Sequence, residues 1–194
     1  MNYLAHLFLA GRTPESLLGN LAGDFVRGAL GDRFTPGVRQ GIVEHRKIDE
    51  FTDTHPSAGA FRRIIAVEHG HYAGVISDVF LDHFLARDWD EYSNERFDDF
   101  LGRVFTTLDS VVDQMPGHLP FVYQRMRDGR WLQSYSDPRG IETALRNLSR
   151  RLSRAPRLES SVHLLTDARE PLHSHFRAFF PDAIAFVNGI RSRR

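Results

Sequence analysis

The chain has 194 residues and balances 25 Lys+Arg against 25 Asp+Glu, a formal net charge of zero. At 41% hydrophobic and 26% charged residues it has material for a buried core, which excludes global disorder. Net neutrality argues against a generic nucleic-acid binder, and the absence of cysteine excludes thiol catalysis, zinc–thiolate sites, iron–sulfur clusters and disulfides.

Apolar residues recur at three- and four-residue spacing nearly throughout, with no run of period-two alternation, so the chain reads as helical. The first helix covers residues 2–11 and ends near Gly11. Thr13-Pro14-Glu15 reads as an N-cap with proline at the first helical position, opening a helix to Arg27. Thr35-Pro36 repeats the signal for a helix to Thr52, with Pro56 just beyond its end. Further helices are expected over 57–69, 71–87 and 93–115, where Met115-Pro116-Gly117 breaks the pattern. Beyond it come helices over 118–128, 138–153 and 157–188, the last interrupted around Pro171 and Pro181. No repeat, low-complexity tract or long linker appears, so residues 1–194 are read as one all-α domain, a multi-helix bundle.

The apolar start lacks a basic stretch ahead of it and carries His6 within it. No 18-residue apolar run occurs anywhere. The expectation is a soluble cytoplasmic protein with no signal peptide and no membrane contact. Charge is unevenly spread: residues 78–113 hold ten acids and three arginines, residues 125–157 nine arginines and three acids. Solvated helix faces are the plain reading of such runs. The functional one is an acidic, metal-bearing half and a basic face for an anionic partner.

Chemistry concentrates in three places. His45, Asp49 and Asp53 lie four residues apart and form one polar ridge on a helix, flanked by Ile42 and Ile48. Burying such carboxylates without a counter-ion is costly. Asp78 and Asp82 form a second ridge, with His83 beside Asp82, embedded among Val75, Ile76, Val79, Phe80, Leu81, Phe84 and Leu85. A metal ion, or a salt bridge to an arginine such as Arg46, would satisfy those acids. Asn20 and Asp24 add a third four-residue pair, and His6 sits in the apolar first helix. Imidazole and carboxylate without thiolate suit Mn²⁺, Mg²⁺ or Fe²⁺. Metal-assisted phosphoester hydrolysis is the natural reaction class. His69-Gly70-His71 and His173-Ser174-His175 are weaker metal pairs, because i, i+2 residues point to different helix faces. No GxSxG, P-loop or GxGxxG motif occurs.

Four blocks occur in order: Met1-Asn2-Tyr3-Leu4-Ala5-His6-Leu7, then Gly19-Asn20-Leu21-Ala22-Gly23-Asp24-Phe25-Val26-Arg27-Gly28, then His45-Arg46-Lys47-Ile48-Asp49 with Thr52-Asp53, then Asp78-Val79-Phe80-Leu81-Asp82-His83-Phe84-Leu85. Together they resemble the acyl carrier protein phosphodiesterases over roughly the first 90 residues. A late Phe179-Phe180-Pro181 and similar length extend the likeness. The resemblance implies hydrolysis of the phosphodiester joining 4′-phosphopantetheine to a serine of the carrier protein, Mn²⁺ dependence, and a distant relation to the all-α HD phosphohydrolases. Positions 82–83 read Asp-His rather than His-Asp, so HD ligand roles do not transfer by position. The expected metal ligands are Asp24, His45, Asp49 and Asp82, with His6, Asp78 and His83 next. Arg46 or Arg27 is expected to steady the phosphate while a metal-activated water attacks, and Asp53 or Asp78 to accept the proton. The implied partner is a small acidic carrier, docking on the 125–157 arginines or on Arg62 and Arg63. The competing readings are an HD-like phosphohydrolase of a nucleotide or other small phosphoester, and a non-enzymatic helical module whose acids only pair with arginine.

Overall fold

The computed structural model describes residues 1–152 and 157–193. The last residue of the expected 138–153 helix and part of the 125–157 basic run lie outside them. Among the described residues there are helices and turns and no strand, as the spacing predicts.

Four helices start on proline behind a side-chain cap. Thr13 accepts from the Ser16 amide ahead of α2 (Pro14–Ala22), and Thr35 from the Val38 amide ahead of α3 (Pro36–Thr54). His55 closes α3 and its Nδ1 caps α4 (Pro56–His69), while Asp137 caps α9 (Pro138–Ser149). Pro56 therefore begins a helix rather than merely following one. The first helix, α1, is shorter than expected, Tyr3–Leu9, and the stretch expected to continue α2 to Arg27 becomes a 3₁₀ turn at Gly23–Phe25.

Helix α5 (Ala73–Arg87) is buried on nearly every side, including Ile76, Val79, Phe80, Phe84 and Leu85. A helix apolar all round belongs in the middle of a bundle. Helices α1, α4 and α9 and a long C-terminal helix pack around it. The expected 93–115 helix divides into α6 (Trp89–Tyr92), α7 (Phe97–Asp109) and a 3₁₀ turn at Val112–Gln114; α8 is Leu119–Asp128. After the turn Leu158–His163 come α10 (Leu164–Asp167) and α11 (Arg169–Ser192). Helix α11 runs unbroken through Pro181, contrary to the expected interruption. Interior proline costs about 3 kcal/mol. The face carrying Phe176, Phe179, Phe180, Ala183 and Val187 is fully buried, and each large apolar side chain so buried contributes about 1.5–3 kcal/mol, which outweighs that cost.

Two contacts place the helices that carry the site. A Cβ on Gly19 would fall 2.6 Å from the Gly41 Cα, so α2 and α3 cross backbone to backbone. Arg191 near the end of α11 reaches the buried Glu44 of α3 and the carbonyl of Leu9 at the end of α1.

The charge runs are mostly consumed internally. Glu95 pairs with Arg103, Asp109 with Arg127, Asp88 with Arg87 and His173, and Asp98 with Arg130. Arg146 and Arg157 are also in ion pairs. The two runs are thus partly neutralised, within themselves and across the Asp109–Arg127 and Asp98–Arg130 pairs, and of the ten acids Asp78 reaches the cleft described next.

Candidate metal centre

Three segments bring nitrogen and oxygen donors together. His6, His45 and Asp49 each offer a ligand atom, and these atoms all lie within 4.8 Å of one another. The two oxygens of Asp49 are divided: Oδ1 is 3.1 Å from His6 Nε2 and Oδ2 is 3.1 Å from His45 Nε2. Asp24 Oδ1 stands 3.4 Å from His45 Nε2. Both imidazoles are buried, whereas Asp24 and Asp49 open to solvent.

The block Gly19–Asp24 is legible atom by atom here. Gly19 permits the close α2–α3 crossing. The Asn20 carbonyl lies 2.8 Å from His45 Nδ1; a carbonyl only accepts, so Nδ1 carries the proton and Nε2 faces the cluster. The Asn20 side chain donates to Glu44 and to the Ser16 carbonyl, fixing the turn. A Cβ on Gly23 would sit 2.1 Å from the His45 ring, so glycine makes room for it. Asp24 then follows at the cluster's edge. A ligand histidine held at its far nitrogen by a backbone carbonyl is the arrangement that metal sites use.

The electrostatics follow from burial and sharing. Burial, reinforced by the neighbouring His45, lowers the His6 pKa to about 4. Burial also acts to lower His45, but its hydrogen bonds to Asp24 and Asp49 win and raise it to about 9. Asp49 is pushed up by burial and pulled far more strongly down by the two histidines, well below the usual carboxylate range. Without a cation, one positive charge on His45 offsets the carboxylates, and His6 Nδ1 is buried with no hydrogen-bond partner. Two Nε2 atoms converging with carboxylate oxygens are a donor set that fits a hard or borderline divalent cation, taking the place of the His45 proton.

A group that reading side chains alone misses is the α-amino group of Met1. It is buried, 3.3 Å from Asp49 Oδ1 and 3.2 Å from Asp78 Oδ1. Burial opposes its charge, yet Asp78 and Asp49 raise its pKa to about 10. Asp78 therefore belongs to the rim of the cluster, paired with an amine.

The remaining expected residues lie elsewhere or do other work. Asp82 is fully buried beneath α1, its Oδ2 accepting from the Leu4 amide at 2.8 Å and its Oδ1 from the Ala5 amide at 3.0 Å. Asn2, at the N-cap of α1, makes no capping bond, and Asp82 caps that helix instead of joining the cluster. His83 turns away, its Nδ1 2.7 Å from the Tyr135 carbonyl. Arg46 spends its guanidinium on the carbonyls of Val26 and Gly28, and Arg27 is exposed beside that loop. Asp53 pairs with Arg62.

Asp24, Asp49, Asp53 and Asp78 line a cleft of about 480 Å³, together with Met1, Tyr3 and Arg62. Arg62 is thus the guanidinium in the cleft, and its buried Nε has no partner. The cleft can hold an anion against Arg62, beside the Asp24 and Asp49 carboxylates.

The family model for acyl carrier protein phosphodiesterase matches residues 1–183. A protein of that name from Yersinia pestis is 32% identical over 182 residues, covering 93% of this chain and 94% of its own. Another, from Serratia proteamaculans, is 35% identical over 191 residues with the same coverage. One from Salmonella paratyphi A is 33% identical over 186 residues, 95% of this chain and 96% of its own. No solved structure matches the chain. Matched over nearly its whole length by the family model, the chain belongs to the acyl carrier protein phosphodiesterase family.

Proposed function

We propose that the protein hydrolyses the phosphodiester linking 4′-phosphopantetheine to a serine of an acyl carrier protein, releasing the apo carrier and free 4′-phosphopantetheine. The observation that carries this reading is the convergence of His6 and His45 on Asp49, which itself lines a cleft together with Arg62. The names of the relatives supply the substrate class.

His6, His45 and Asp49 would hold the cation, with Asp24 beside His45. Mn²⁺ is our assignment, with Mg²⁺ or Fe²⁺ suited to the same donors. Such an ion supplies Lewis acidity toward a phosphoryl oxygen and lowers the pKa of water at the site. The chain's own residues do the rest. Arg62, which lines the cleft, offers its guanidinium to a phosphate oxygen, the role expected of Arg46 or Arg27. Asp78 or Asp24, both facing the cleft, takes the proton of the attacking water. The new bond forms between water oxygen and phosphorus, the bond from phosphorus to the serine oxygen breaks, and that oxygen takes up a proton. Asp53, tied to Arg62, positions the guanidinium rather than acting as base. We read residues 1–194 as one domain, since buried side chains from α1 to α11 form a continuous apolar cluster.

The carrier is expected to dock by charge, and the exposed Arg139, Arg150 and Arg151 at the two ends of α9 present the basic face for it. Incubating holo carrier with the protein and Mn²⁺, then weighing the carrier by mass spectrometry, tests the activity. Loss of one phosphopantetheine mass with release of 4′-phosphopantetheine is expected. An unchanged carrier mass with stoichiometric metal bound would reject the substrate, and absence of metal binding would reject the centre. A KM for carrier that does not rise between low and moderate salt would reject docking by charge.

A further inference from the structure

A phosphodiester has two arms, and the metal cleft explains only the phosphate between them. A second hollow opens from the same cleft, sharing Asn2, Tyr3 and Leu148 with it. It holds about 80 Å³ against about 480 Å³ for the cleft, a slot with room for a stretch of thin chain.

One wall is helix α9. Gly140, Ala144, Asn147 and Leu148 recur at three- and four-residue steps and line the slot, while Ile141 and Leu145 anchor the helix's other side in the core. Trp131 and Tyr3 line it as well, with Ala144, Leu148 and Trp131 only half-buried and so still open to contact. The buried Tyr135 lies at the floor and is hydrogen-bonded to the Asn2 side chain. At the junction with the cleft the Tyr3 hydroxyl is hydrogen-bonded to Arg151 and lies in the field of Asp24. A chain leaving a phosphate at Asp49 and Arg62 would pass Tyr3 directly into the slot.

Of the two arms, the carrier serine is part of a folded protein and stays outside so narrow a slot. The other arm is a thin chain of methylenes with a geminal dimethyl group and two amides. Its apolar stretches suit Trp131, Leu148 and Ala144, and its amides find partners of the same kind in Asn147 and Asn2. We propose that the slot between α9, Trp131 and Tyr3 is the subsite for the pantetheine arm, selecting esters that carry it; this rests on the phosphodiesterase reading above.

The test uses pantetheine itself, which has no phosphate, and the full-length protein. Calorimetry on metal-free protein should show saturable pantetheine binding. Ala144→Phe, which fills the slot, should weaken that binding by about 10-fold or more. The ratio of kcat/KM for holo carrier to that for bis(p-nitrophenyl) phosphate, an ester without the arm, should fall by a similar factor. Asn147→Leu, at a half-exposed position, removes one amide partner with little burden on folding and should weaken pantetheine binding about 3- to 10-fold. It serves where Ala144→Phe does not fold. A wild type that hydrolyses holo carrier while neither variant alters binding or the ratio would overturn the subsite and leave the activity standing. A wild type that leaves holo carrier intact would overturn the activity, and lack of pantetheine binding would then remove the subsite as well.

Discussion

His6 and His45 stack ring on ring, centroids 3.8 Å apart and planes within 17° of parallel, although they come from different helices. Two imidazolium rings at that distance would repel strongly. Asp49 resolves the conflict by taking one Nε2 on each oxygen, leaving His6 neutral and His45 charged.

This division sets a pH dependence. A cation needs both Nε2 atoms unprotonated, and His45 holds its proton up to about pH 9. Metal binding at pH 7 should therefore release one proton, and affinity should climb with pH and level off near 9. Calorimetry in buffers of different ionisation enthalpy counts that proton; a count of zero would contradict the assignment. For the metal-free protein the signs are opposite for the two rings. His45 is raised from 6.5 to about 9, so its contribution to stability is complete below 6.5 and is lost as pH rises through 9. His6 is lowered from 6.5 to about 4, so stability falls as pH drops from 6.5 toward 4. As far as these two groups decide it, the metal-free melting temperature should peak near pH 6.5.

Gly23 is predicted to be as sensitive as a ligand. In Gly23→Ala the new methyl would overlap the His45 ring at 2.1 Å, with the ring pinned by Asn20. The ring must shift, and metal affinity should drop by about 10- to 100-fold. Equilibrium dialysis against Mn²⁺ measures it; wild-type affinity would mean that the ring's position is unimportant.

Asp82 should matter for stability. Asp82→Ala leaves the Leu4 and Ala5 amides buried without acceptors and removes the cap of α1, a loss of about 2–3 kcal/mol. Asp82→Asn keeps one acceptor and should cost about 1 kcal/mol. Urea unfolding separates the two, and metal stoichiometry in folded Asp82→Asn should remain that of the wild type. Loss of stoichiometry would restore Asp82 to the ligand set.

Arg62 and Arg46 should exchange the roles that their sequence context suggests. Arg62→Ala removes the guanidinium in the cleft and should lower kcat/KM by about 10- to 100-fold, the worth of a hydrogen bond to a charged group. Arg62→Lys should recover only part, lacking the planar fork. Arg46→Ala should instead loosen the Val26–Gly28 loop, seen as faster hydrogen exchange there. A larger kinetic loss in Arg46→Ala than in Arg62→Ala would reverse the assignment.

Arg191 binds a buried carboxylate, Glu44, and the Leu9 carbonyl at the end of α1. Arg191→Met removes the counter-charge of that buried carboxylate, to which Asn20 still donates; with Arg191 partly exposed, a loss of about 2–3 kcal/mol is expected in chemical denaturation. A shift under 0.5 kcal/mol would show the pair to be screened by solvent.

Much of this protein was legible in one dimension. Helical periodicity, the Thr-Pro starts of α2 and α3 and the buried middle of α5 are local signals, set by backbone sterics and the 3.6-residue repeat. His45 and Asp49 share a face through four-residue spacing, so they could be paired from the sequence. Spacing alone could not separate Asp78 from Asp82: both lie on one ridge, and only the packing of α1 over α5 turns Asp82 into a helix cap and leaves Asp78 in the cleft. Nor could it show that Pro181 is tolerated, since the burial that offsets its cost comes from distant helices.

The sequence by itself determined the all-α architecture, the family motifs and a donor chemistry confined to imidazole and carboxylate. Only the tertiary structure decided which donors meet, that Arg62 rather than Arg46 enters the cleft, and that the Met1 amine joins Asp49 and Asp78. The reason is physical. Helix formation depends on neighbours a few residues apart, whereas a metal cluster depends on distances of a few ångströms between α1, α2 and α3. Those distances come from contacts such as Gly19 against Gly41, which no local rule encodes.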